Sequence, residues 1–140
     1  MDSQWSLRSR IEVTVATGTT GNLNGDIIDM ASNGGFESLL VVAGASVTST
    51  AQHLKLQVGT ASDSLSDATG DIQHTVQGLY LDVYRPILRF ARGVFTASGA
   101  SSPGRAIVSI AYGARSQPTT QPAGTTGIRL YSPGTGTATG

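Results

Sequence analysis

The residues that could do acid–base or metal chemistry in this 140-residue chain are few: two histidines, nine carboxylates and no cysteine. His53 sits beside Leu54, and His74 is flanked by Ile72 and Val76, so both lie in strand-like sequence where a structural or surface role is expected rather than catalysis. The missing cysteines exclude disulfides, thiolate metal sites and cysteine nucleophiles. The many serines include no Gly-x-Ser-x-Gly elbow, and no P-loop or Gly-x-Gly-x-x-Gly follows a strand, so the glycines are read as turns. Asp63, Asp67 and Asp71 recur at every fourth residue of a Ser- and Thr-rich loop. Oxygen ligands of that kind could hold calcium, but the spacing is not that of an EF-hand, and a solvated loop is the better reading. No enzyme activity, metal or cofactor is expected.

The densest positive charge is Arg85, Arg89 and Arg92, three of only nine Lys and Arg residues, all within the stretch Leu79 to Phe95. Three roles compete for them. Arg85 or Arg92 could pair with Asp82 or with the acids of the Asp26 to Asp29 segment. They could face carboxylates on a neighbouring subunit, where the planar guanidinium fork binds bidentately. They could bind phosphate, although the chain offers no larger basic surface to supply the usual electrostatic affinity.

The elements that must position these groups read as strands. Leu79, Leu81 and Val83 alternate with Tyr80, Asp82 and Tyr84, the period of two of a strand with unlike faces. Pro86 interrupts pairing, which should resume at Leu88, Phe90 and Val94. Arg92 shares that second apolar face unless a bulge near Gly93 shifts the phase. Further strands are predicted at Ile11 to Ala16, Asp26 to Met30, Leu54 to Val58, Ile72 to Val76 and Ala106 to Tyr112. Phe36 to Ala43 is apolar on both faces and should cross the middle of the domain. Residues 17–25 and 59–70 read as loops, and 88–96 should form a hairpin with 106–112. About eight short antiparallel strands joined by Gly, Ser, Asn and Asp turns predict an all-β fold, a jelly-roll-like β-sandwich over residues 11–113.

Two arms flank it. Residues 1–10 carry only Trp5 and Leu7 as large apolar side chains, and residues 114–140 hold three of the five prolines and one apolar cluster, Ile128, Leu130 and Tyr131. A 25-residue tail at about 3.3 Å per residue would reach roughly 80 Å, further than the width of its own domain. These five side chains either anchor in a partner's pockets or fold back on the sandwich. Net charge is zero and charged residues are 13%, which points away from nucleic acid and from anionic membranes. With no apolar run near the roughly 20 residues that span a bilayer and no signal-like N-terminus, a soluble protein made in the cytoplasm is expected.

Taken together, DIIDM, FESLLVVAG, LYLDVYRPILRFAR, IVSIAYGARSQP and LYSPGTGTA resemble the capsid decoration, or cement, proteins of tailed bacteriophages. The most specific part is Leu81 to Pro86 followed by an arginine-bearing strand and Tyr112 to Arg115; residues 1–25 contribute little. The resemblance implies a jelly-roll-like sandwich on the outer surface of the virion's capsid, commonly a homotrimer, locking neighbouring major capsid protein subunits together. Arg85, Arg89 and Arg92, with the five arm residues, are the candidate contacts. A receptor- or glycan-binding module of a phage fibre or tail is the alternative, with Tyr80 and Tyr84 as its only candidate aromatics.

Overall fold

The computed structural model describes residues 8–16, 21–32, 34–45, 52–68, 72–74, 78–86, 88–97, 105–116 and 119–123. Ten strands form: β1 (Arg10–Ala16), β2 (Gly21–Asn24), β3 (Ile28–Asp29), β4 (Ser38–Ala45), β5 (Gln52–Ala61), β6 (Ser64–Asp67), β7 (Ile72–His74), β8 (Gly78–Tyr84), β9 (Phe90–Ala97) and β10 (Arg105–Tyr112). They build an all-β sandwich of two antiparallel sheets. The front sheet has the order β1-β10-β4-β8, and the back sheet has the order β2-β9-β5-β6, with β3 also on β9 and β7 also on β5. Among the described residues no helix is long and apolar enough to cross a membrane.

The core lies between the sheets. Leu39, Val41 and Ala43 of β4 and Ile107 and Ala111 of β10 meet Leu54, Leu56 and Val58 of β5 and Ala91 and Phe95 of β9. β8 keeps the alternation read from its sequence: Leu79 is buried with Leu81 and Val83 packed behind it, while Tyr80, Asp82 and Tyr84 point out. β4 is an inner strand, paired to β10 on one side and β8 on the other, as its two apolar faces suggested.

Three expectations are corrected. Residues 88–96 and 106–112 do not pair: β9 lies in the back sheet against β2, β3 and β5, and β10 lies in the front sheet between β1 and β4. The apolar register of β9 also differs from the one read from Leu88, Phe90 and Val94, although Val94 is itself buried and Leu88 packs against the core. Ala91, Gly93 and Phe95 sit opposite the inward Val58, Leu56 and Leu54, so Phe90 and Arg92 face outward without any bulge. Phe90 is only half-buried. Glycine holds the inward position between Ala91 and Phe95 because a Cβ on Gly93 would collide with the Val41 side chain. Finally, β2 and β6 lie within the segments read as loops. Each carries a single leucine, too little apolar periodicity to mark a strand, and each pairs along one edge of the back sheet.

The connection from β8 to β9 carries the chain from the front sheet to the back one. Arg85, at its start, adopts φ 49°, and its backbone N–H donates to the Glu37 carbonyl at 2.9 Å. Pro86 closes the interruption that its sequence foretold.

Candidate functional site

The three arginines of the central stretch part company. Arg89 is the one that reaches the Asp26 to Asp29 segment: its Nε donates to Asp29 Oδ1 at 2.9 Å and its Nη2 to Oδ2 at 2.8 Å. That hydrogen-bonded pair holds the Asp29 carboxyl below the usual carboxylate range, with burial opposing and the Ala31 N–H assisting. Arg92, on the outer face of the back sheet, donates from Nε to Gln57 Oε1 at 2.9 Å. Arg85 stacks over the Tyr84 ring at 5.0 Å. Asp82, expected near an arginine, instead accepts from the Tyr112 hydroxyl at 2.6 Å, and that bond pushes the Tyr112 phenol upward.

The outer faces of the two sheets have opposite character. On the back sheet, Arg92, Gln57, Asp67 and Lys55 form a hydrogen-bonded row across β9, β5 and β6. Gln57 Nε2 donates to Asp67 Oδ1 at 2.8 Å, and Lys55 Nζ donates to Oδ2 at 2.9 Å. These bonds hold the Asp67 carboxyl low. Asp67 is therefore taken up by its neighbours, Asp63 is exposed in the β5–β6 turn, and Asp71 lies outside the described residues. His53 lines a shallow cleft of about 250 Å³ with Asn22, Lys55 and Thr96, and the Thr96 hydroxyl donates to the Asn22 side chain. Among the described residues no group of three or more His, Asp or Glu side chains converges as a metal site requires.

The front sheet presents an apolar face to solvent. Its register lines up Ile11, Ile110 and Leu40 in one row that ends at Asp82, Val13, Val108, Val42 and Tyr80 in the next, and Val15, Ala106 and two glycines, Gly44 and Gly78, in a third. Val15 is 72% exposed, Val13 50%, Val42 40% and Tyr80 70%. β1 is inverted relative to a strand at the surface of a soluble sandwich, where polar residues face water. Its apolar Ile11, Val13 and Val15 point out, while Glu12 points in, 7% exposed, and accepts from Arg10 Nε at 2.8 Å. Burying a carboxylate costs free energy that this pairing offsets. The footprint of the whole face, four strands by three rows with Asp82, Gly44 and Gly78 included, is on the order of 400 Å².

One end of the sandwich adjoins this face through Tyr84. There the β3–β4 loop, the β8–β9 crossover and the chain after β10 enclose a cleft of about 620 Å³ lined by Arg85, Arg89, Arg115, Glu37, Leu88 and their neighbours. Backbone bonds knit it: Glu37 N–H to the Tyr112 carbonyl at 3.0 Å, Arg115 N–H to Gly35 at 3.1 Å and Met30 N–H to Arg89 at 2.8 Å. Past the cleft the chain returns along the start of β1. The Thr119 hydroxyl donates to the Ser9 carbonyl at 2.7 Å, and Gln121 Oε1 accepts the Ile11 N–H at 2.9 Å.

Of the candidate contacts, Arg85 and Arg89 meet at this cleft and Arg92 does not. Trp5, Leu7, Ile128, Leu130 and Tyr131 lie outside the described residues. Val13, Val15, Val42, Glu37 and Arg115 were missed as site residues. The available signal was the doubly apolar β4, whose outward Leu40 and Val42 belong to the exposed face and not to the core. No protein-family model matches the chain, and no curated protein matches it.

Proposed function

We propose that this protein is a structural component of a tailed-phage virion, a decoration protein that binds the outer surface of the capsid and strengthens contacts between major capsid protein subunits. The observation that carries an assembly role is the exposed apolar face of the front sheet, built by an inverted β1. A contiguous apolar patch of several hundred Å² on a soluble fold marks an interaction surface. Its footprint is about half of the roughly 800 Å² that each partner gives to a stable interface, so contact there needs added surface from the flanking segments. We assign this face to a second copy of the chain in a homotrimer, and the arms and the arginine-lined end to the shell. Several modest contacts of one oligomer then act together through effective concentration. The phage setting comes from the sequence resemblance.

The pairing scheme supports a jelly roll. β1 pairs with β10, β2 and β3 with β9, β4 with β8, and β5 with β6 and β7. First with last and inward in steps is the pattern of one long hairpin rolled into two sheets. The glycan-binding alternative draws on exposed Tyr80 and Tyr84 with Asp82 between them on one face. The aliphatic row that Tyr80 ends, Val13, Val108 and Val42, favours a protein partner instead. No catalytic role is assigned. Co-sedimentation with expanded capsids lacking the protein tests the reading: saturable binding is expected, and absence of binding would sink it.

A further inference from the structure

We propose that the cleft at the Arg85 end of the sandwich receives an acidic side chain from the protein surface that this chain binds, held between the Arg85 and Arg115 guanidiniums over the apolar floor of Leu88 and Pro86. The inference rests on the assembly role proposed above and specifies the chemistry of one contact. It goes beyond the apolar front face, which carries no basic group.

Three arginines line the cleft, and they are not equivalent. Arg89 is satisfied in two bonds by Asp29. Among the described residues the Arg85 guanidinium meets the Tyr84 ring, and neither it nor Arg115 has a carboxylate partner there. A guanidinium forms its strongest hydrogen bonds with a carboxylate or a phosphate. The cleft also carries Glu37. Together with Asp29 it leaves one net positive charge against the three arginines. A lone carboxylate suits that balance, whereas a phosphodiester backbone would bring a line of charges past Glu37.

The backbone points to the same place. Of the four described residues with φ in the left-handed region, Gly34, Gly35, Gly113 and Arg85, two line this cleft, Gly113 and Arg85, and Gly35 accepts the Arg115 N–H beside it. Glycine adopts that conformation freely; a residue with a Cβ does so at a cost. Arg85 alone bears that cost, and strained residues of this sort concentrate where a side chain must be aimed. Glycine would fit the turn better. What glycine lacks is the guanidinium.

That separates function from folding in one substitution. Titrate the ¹⁵N-labelled chain at low salt with the blocked peptide Ac-Gly-Glu-Glu-Gly-NH2 and with its Gln-Gln counterpart. The account expects saturable amide shifts at Glu37, Arg85, Gly113 and Arg115 with the Glu peptide only. In Arg85→Gly the affinity should fall at least tenfold while the melting temperature stays the same or rises, and Arg115→Gln should lose affinity as well. Equal shifts with the Gln peptide, no shifts at these amides, unchanged affinity in Arg85→Gly or in Arg115→Gln, or tighter binding of inorganic phosphate would each overturn it. Binding to capsids gives the second arm. Wild-type binding with Arg85→Gly unaffected contradicts the inference and spares the assembly reading. Wild-type failure to bind contradicts the assembly reading, and the peptide titration still decides the cleft.

Discussion

Gly93 of β9 faces Val41 of β4 across the core, with no room for a Cβ between them. The same glycine's carbonyl accepts the Gly25 N–H at 2.8 Å, so the backbone cannot slide away freely. Gly93→Ala should therefore destabilise the fold by about 1–3 kcal/mol, although alanine in a strand is otherwise the better residue. Val41→Ala in the same chain should recover part of the loss. Urea unfolding of the two single variants and the double variant measures this coupling, and strict additivity would contradict the contact.

The register of β9 makes a second comparison. Phe95 is fully buried, and Phe95→Ala should cost roughly 3–5 kcal/mol. Phe90 is half-buried on the outer face, and its loss should cost about half as much or less. The two unfolding free energies, measured side by side, give the order; equal costs would put both rings in the core.

How far the sequence reveals this fold is clearest at these positions. Alternation in 79–84 and 106–112 marks strands and their two faces, because a period of two is a property of one strand alone. It does not say which face is the core. In β9 Phe90 and Val94 set a false phase, since Gly93, the inward position beneath Val41, has to stay small and breaks the apolar alternation between Ala91 and Phe95. In β1 the outward face is the apolar one, which no rule based on a soluble surface would choose. Partner strands were illegible for another reason: β9 and β10 are neighbours in sequence but belong to different sheets. The cleft depends on turns that the two sheets bring together, so only Arg85 and Arg89 could be named in advance, and their company of Glu37 and Arg115 could not.

The Asp29–Arg89 pair predicts a pH dependence. Because the folded Asp29 carboxyl titrates below its unfolded value, its contribution to stability is complete above about pH 5 and is lost as the pH falls through the folded value. The urea midpoint of Asp29→Asn should lie below that of the wild type by a constant amount from about pH 8 to pH 6. The gap should close below about pH 4. A gap that persists unchanged in acid would remove the ion pair as its cause.

Charge on the front face should separate folding from association. Val15 is 72% exposed and touches the core least, so Val15→Lys should change the unfolding free energy by no more than about 0.5 kcal/mol. Val13→Lys and Val15→Lys together should shift the sedimenting species from oligomer to monomer. A wild-type chain that already sediments as a monomer at high concentration would refute self-association through this face.

The most direct test of the assembly role is a reconstruction of capsids carrying the bound protein at a resolution that shows side chains. The account predicts symmetric occupancy on the outer surface, with Val13, Val15, Val42 and Tyr80 covered by a second copy and the Arg85 end turned toward the shell. Bound copies whose front sheet faces open solvent, or shells with no ordered copies at all, would contradict it.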